Sequence, residues 1–351
     1  MKSLFSRTGA AIATSTILLG LAGCQVPETT DNAGSTDATE TAGLPGDGVT
    51  VTPGYALLEE LFQTEVVNIG LEKMGYTIDD GKELEYGPMF IEIGNGDIDF
   101  TTAHWEKNQS GFYENSGGDE KLEKLGVIVE NALQGYMIDK ATADKHNITS
   151  LDQLADPEIA KLFDSDGDGK ANLLGCNTGW ACELIIEHHI DAYGIRDTVI
   201  QDQGKYMALI PDVITRVDQG EPVLYYTWTP LWLGGVLVTN QDVVWLEVPE
   251  TNLPADQGEM TAADTSADGK NLGFAVEQLY VVANQGFVDE NPQAAAFMSQ
   301  VTIPLDDVSA QNQLIQDGED TTEAIRGHAE DWIAKNQDTF DGWLKSAMAV
   351  Q

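Results

Sequence analysis

Basic side chains are scarce in this sequence: 18 Lys and Arg stand against 58 Asp and Glu, leaving a net charge of −40 over 351 residues. A surface of that sign repels phosphate backbones and anionic headgroups, which excludes nucleic acid and the lipid surface as direct partners. It also repels itself, and only salt relieves that, by shortening the screening length to ~3 Å at ~1 M. The shortage of lysine thus suggests a salty, halophilic setting outside the cytoplasm. Sequences of the GxSxG, HExxH and Walker types are absent, so no hydrolase, metalloprotease or nucleotide-triphosphate signature is present. Cysteine is rarest of all, with Cys24, Cys176 and Cys182 the full complement.

What is present begins with an export signal. Lys2 and Arg7 form a positive stretch ahead of AAIATSTILLGLAG, an apolar run shorter than the ~20 residues of a membrane span. It ends in LAGC at 21–24, which resembles the lipobox of bacterial lipoproteins. That resemblance implies removal of a signal peptide, residues 1–23, and lipidation of Cys24, making the chain an extracytoplasmic, membrane-anchored lipoprotein. Residues 24–48, rich in Thr, Ala, Gly and acids, have little to bury and are expected to form a flexible tether. One cysteine goes to lipid; the other two, in an oxidising compartment, are expected to form a disulfide.

With 42% hydrophobic residues, seven Trp, ten Tyr and ten Phe, the remainder has ample material for a core, and its length suits two compact domains. VTVTP, GVIVENALQGYMID, PVLYYTW, DVVWLEV and LGFAVEQLYVVAN are expected strands, and MFIEIGNGDIDFTTAHW a strand, tight turn and strand. ALLEELFQTEVVNIGLEKMG, ACELIIEHHIDAYG, NPQAAAFMSQV and the tail from Thr322 onward carry helical spacing, with Trp332 and Trp343 packing the core. Alternating β and α segments indicate an α/β protein with largely parallel sheets. The middle of the chain, 140–275, is expected to be inserted between two crossing segments.

The chemistry concentrates on tryptophan. Trp105 in TTAHW, Trp180 in CNTGWAC and Trp228 in YYTWTPLW lie at strand ends or turns, where open α/β sheets place ligand sites. Each ring could simply pack a domain, but a tryptophan in a seven-residue loop has no core of its own. Three indole faces can surround a quaternary ammonium, a cation with no N–H to donate, at ~0.5–2 kcal/mol per contact. If the run from Ala181 starts a helix, the N–H groups of Ala181 and Cys182 suit a carboxylate. Cage and donors together suit a betaine, which is neutral overall and indifferent to the −40 field.

Over about residues 46–351 the chain resembles the ProX family of glycine betaine/proline betaine binding proteins of ProU-type ABC transporters. TTAHW, KLFDSDGDGKANL, GCNTGWACE, YYTWTPLW, VVWLEVP and FDGW stand in the family's order. The resemblance implies a type II periplasmic-binding-protein fold with two lobes, a hinge and mostly parallel central sheets. Residues 49–139 plus 276–351 would form lobe A and 140–275 lobe B. It implies a Trp105, Trp180 and Trp228 box, a Cys176–Cys182 bridge, osmoprotectant uptake, no catalysis, and partnership as a monomer with a permease and ATPase. Gln109 stands where the family has a carboxylate-holding histidine, and Ala181 replaces a glycine. Gln109 can still donate through its amide, without charge. A receptor for choline or carnitine, or an enzyme acting on choline-like substrates, is the alternative.

Two further patterns invite a metal. Asp164, Asp166 and Asp168 open DSDGDGKANLLG like a calcium loop, but Gly175 stands where the bidentate Glu belongs. The missing Glu lowers calcium affinity or removes the site, and an Asp/Gly-stabilised turn is the preferred reading, with calcium the alternative. Glu187, His188 and His189 are adjacent on a helix, point apart, and are expected on a solvated face.

Overall fold

The computed structural model describes residues 43–351, which pack as one unit. The expected signal peptide, most of the tether and Cys24 lie outside the described residues. The folded part begins earlier than Val49: Gly46 is buried and its N–H donates to the Met74 carbonyl at 3.0 Å.

The elements that position the site are β1 (Pro53–Tyr55), α1 (Leu61–Lys73), α2 (Tyr86–Asn95), β2 (Phe100–Trp105), β3 (Leu122–Asp139), β4 (Ala171–Leu174), α3 (Ala181–Ala192), β5 (Val199–Asp202), α4 (Tyr206–Gln219), β6 (Leu224–Thr229), β7 (Val243–Trp245), β8 (Glu277–Asn284) and α5 (Leu305–Gln316). Helices α6 (Thr322–Lys335) and α7 (Gln337–Ala347) close the chain. A nine-stranded sheet runs Lys82–Glu83, β1, β2, β8, β3, β6, β4, β5, with β7 also on β3. Its flanks are parallel, β1 with β2 on one side and β4 with β5 and β6 on the other. Around β3 and β8 the pairings are antiparallel. This is the expected α/β class, with two long strands threading its centre.

β3 changes partner midway. Up to Ala132 it pairs with β8; from Leu133 it pairs with β6, with β7 joining at its end. Asn131, at the handover, sits at φ 59°, a left-handed turn that Asn tolerates better than most residues. One strand thereby joins the two halves of the sheet.

Four sequence expectations need correction. MFIEI is helical, the end of α2, not a strand: Met89, Phe90 and Ile93 are buried on one side while Ile91 is exposed. A four-residue stagger outweighs β-branching here. Gly94 and Asn95 finish that helix and Gly96, at φ 80°, caps it, so the glycine pattern marks a helix end, not a turn between strands. In LGFAVEQLYVVAN only β8 is extended. The tail is helical, but it breaks at Asn336 into α6 and α7. There Trp332 and Trp343 stack at 6.5 Å, and the Trp332 indole N–H donates to Asp307.

Candidate ligand-binding site

Each indole is delivered by a different element. Trp105 ends β2, Trp228 is the penultimate residue of β6, and Trp180 is the N-cap of α3. Trp180 depends on a loop that the covalent chemistry constrains. Cys176 and Cys182 are joined by a disulfide with Cα atoms 6.4 Å apart. Gly179 turns at φ 89°, where a side chain would be strained. The Gly179 N–H donates to Glu183, and Asn177 Oδ1 accepts the Tyr206 N–H at 2.7 Å.

The Trp180 ring leaves its loop and is buried against two other segments. It meets Trp228 edge-on at 6.0 Å and Tyr86 at 5.3 Å, and its indole N–H donates to Glu85 at 2.6 Å. Trp228 is backed by Tyr206 at 4.6 Å and Tyr226 at 5.9 Å. Trp105, Trp180 and Trp228 all line one cavity, as do Gln109, Ala181 and Cys182. The structure therefore brings together every ligand residue singled out from the sequence.

The amide donors have a simple origin. Trp180 is extended, at φ −79° and ψ 152°, so α3 starts abruptly at Ala181. Among the described residues the Ala181 and Cys182 N–H groups have no acceptor, as expected in a first helical turn. Gln109 follows Trp105 by one turn. Its N–H donates to the Trp105 carbonyl at 2.9 Å, and its Oε1 accepts the Trp105 N–H at 3.1 Å. With the oxygen committed, the amide NH2 is the end left for a ligand.

Several residues in or behind the lining carried no signal in the sequence. Glu277, fully buried on β8, accepts the Lys107 N–H at 2.9 Å and the Asn108 N–H at 2.6 Å, and so anchors the turn between Trp105 and Gln109. Burial pushes its carboxyl up to about 7. Asn108 Nδ2 and Tyr226 OH both donate to Gln134 Oε1, on β3. Glu60, just ahead of α1, lines the cavity beside Tyr86; its Oε1 accepts the Tyr86 hydroxyl at 2.6 Å and its Oε2 the Ala56 N–H at 2.8 Å. Burial raises the Glu60 carboxyl to about 7, against the lowering effect of those bonds. These contacts join segments far apart in the chain, and no local pattern announces them.

The metal patterns stand apart from the cavity. Oxygens of Asp164, Asp166 and Asp168 lie within 4.8 Å of one another. Asp164 accepts N–H bonds from Gly167 and Gly169, Asp166 one from Asp168, and Asp168 one from Lys170. Those bonds hold the Asp164 carboxyl below its usual range and define an Asp/Gly turn. The solvated reading of the adjacent histidines is corrected for His189, which is fully buried, with Nδ1 2.8 Å from the Tyr136 hydroxyl. α3 packs that side, with Ile185, Ile186 and Ile190, toward the interior, and burial lowers the imidazole to about 3. His188 pairs instead with Asn252 Oδ1.

Cavity and sheet together give an α/β ligand-binding fold, with the three indoles around one site. In fold the chain is similar to the ProX glycine betaine, L-proline ABC transporter binding protein of Borrelia burgdorferi. The TM-score is 0.65 at 17% identity, covering 85% of this chain and 99% of that one. Residues 49–335 match the substrate-binding domain of ABC-type glycine betaine transport systems, and the chain belongs to that family. It is 47% identical over 309 residues to the glycine betaine-binding periplasmic protein OusX of Dickeya dadantii, covering 88% of this chain and 92% of that protein. It is 45% identical over 312 residues to the glycine betaine/proline betaine-binding periplasmic protein of Escherichia coli, covering 88% and 93%. These relatives are periplasmic binding proteins; among the described residues of this chain no helix is long and apolar enough to cross a membrane.

Proposed function

We propose that this chain is an extracytoplasmic receptor that binds glycine betaine or proline betaine and delivers it to an ABC importer for osmoprotectant uptake. The ligand's methylated nitrogen occupies the box of Trp105, Trp180 and Trp228. Its carboxylate accepts the Ala181 and Cys182 N–H groups, with Gln109 as a third, neutral donor. What carries the reading is one cavity onto which three indoles and two unpaired helix amides open together. Cation–π contact suits a nitrogen without N–H, and helix-start amides suit the acidic end.

In this reading 49–139 plus 276–351 form one lobe and 140–275 the other, and the end of β3 reaches from the first lobe to pair with β6 of the second. Trp180 and Trp228 come from the second lobe, and Trp105, Gln109, Tyr86 and Glu85 from the first. The 2.6 Å bond from the Trp180 indole to Glu85 then crosses between lobes and holds the closed form, the one the permease recognises. Cys24 carries the lipid that tethers this monomeric receptor to the membrane, and the role is capture, not catalysis.

The test is one fluorescence titration with glycine betaine, proline betaine and choline in competition, the cage indoles providing the signal. The two betaines are expected to displace each other from a single site and to outcompete choline. Choline binding more tightly than both would transfer the assignment to a choline receptor. Turnover of a choline ester or of betaine would make the protein an enzyme.

A further inference from the structure

Among the described residues, Glu60 is a buried carboxylate without a cation. It is 6% exposed and lines the cavity, and no Lys, Arg or His joins it there. Its own bonds come from neutral donors: the Tyr86 hydroxyl and the Ala56 and Leu57 N–H groups. Buried charges are ordinarily paired, because an ion out of water without a counter-charge is costly. The surroundings add negative potential instead of relieving it. Glu59 lies beside it, also lining the cavity, and Glu85 precedes Tyr86 and holds the Trp180 N–H. α5 lines the same cavity with Val308 and Asn312. Asn312 Oδ1 and Gln63 Oε1 are buried acceptors with no donor.

We propose that Glu60 is the counter-charge for the ligand's quaternary ammonium, fixed through Tyr86 behind the Trp180 wall, and that it makes the cavity selective for cationic headgroups over neutral isosteres. This rests on reading the cavity as a betaine site. Empty, the cavity leaves Glu60 easy to protonate, with its carboxyl raised to about 7. A bound ammonium favours the ionised form, so binding expels the carboxyl proton to solvent. The sign is fixed: affinity rises with pH through the empty-site value. With a carboxyl near 7 and full ionisation in the complex, affinity gains about tenfold from pH 6 to 8 and releases about half a proton per ligand at pH 7.

Calorimetric titration of glycine betaine and tetramethylammonium from pH 6 to 8, in two buffers of different ionisation enthalpy, tests this. The full-length protein is expected to release protons and to bind both ligands about tenfold more tightly at pH 8. Glu60→Gln, which keeps the shape and removes the charge, is expected to abolish proton release and pH response and to weaken binding about a hundredfold or more at pH 8, because full ionisation in the complex at pH 6 requires the carboxyl to drop by about two pH units on binding. Glu59→Gln is expected to keep the proton release. pH-independent betaine binding without proton release would overturn the role of Glu60 while leaving the betaine site standing, as would a Glu60→Gln protein that behaves like the parent. The proton count on the parent protein decides the matter even if the variant fails to fold. No binding of either ligand at pH 8 would overturn both readings.

Discussion

Replacing Trp180 by alanine probes two interactions at once, and their sizes can be set separately. The ring is one wall of the box, 6% exposed and packed on Trp228 and Tyr86. A desolvated cation–π wall contributes up to ~2 kcal/mol. The indole N–H adds a hydrogen bond to Glu85 at 2.6 Å, and a bond to a charged partner is worth ~1.5–3 kcal/mol. Only the part of that bond formed on closure counts toward affinity. Trp180→Ala is therefore expected to weaken glycine betaine binding by ~1.5–4 kcal/mol, or about tenfold to a thousandfold. Trp180→Phe keeps a smaller aromatic face and loses the N–H, so it should fall between the parent and the alanine variant. Calorimetry gives the affinities, and circular-dichroism melting verifies that both variants fold. A folded Trp180→Ala protein that binds within twofold of the parent would refute the cage.

Gln109→Ala should cost only one neutral hydrogen bond, ~0.5–1.5 kcal/mol by calorimetry, and complete loss of binding would contradict its secondary rank. Replacing both Cys176 and Cys182 by serine opens a loop with a sequence separation of 6, whose closure stabilises the fold by about 2 kcal/mol; chemical denaturation should show that loss, together with weaker betaine binding. Glu277→Ala removes two N–H acceptors from the Trp105–Gln109 turn, so affinity should fall although Glu277 does not line the cavity; unchanged affinity in a folded variant would separate that turn from the site. Dilution to low salt should lower the melting temperature, since −40 of net charge then repels unscreened, and a salt-independent melting curve would defeat the salt-adapted reading.

The local half of this site could be read from residue order alone. Cys176, Gly179, Trp180 and the apolar run after Ala181 are neighbours in sequence, and a disulfide, a left-handed glycine and a helix start act over a few residues. The same holds for β6, whose alternating aromatic run set Trp228 near its end. Expectations failed where two local rules competed. Met89 to Ile93 fits strand composition and helical stagger alike, and packing against the sheet decided for the helix. His189 sits beside an exposed-looking His188, and only the face that α3 turns inward, toward Tyr136 and Phe274, separates their fates.

What sequence determined was therefore chemistry and local geometry: the acidic charge balance, the paired cysteines, the indoles and the amides that open α3. What only the tertiary structure decided was convergence. Glu60 meets Tyr86, Glu277 holds Asn108, and Trp180 reaches Glu85 across 26, 169 and 95 residues of chain. Such pairs depend on how the sheet is threaded, above all on β3 passing from β8 to β6. Burial, which gives Glu60 and His189 their unusual protonation, belongs to the packed whole and to no single segment.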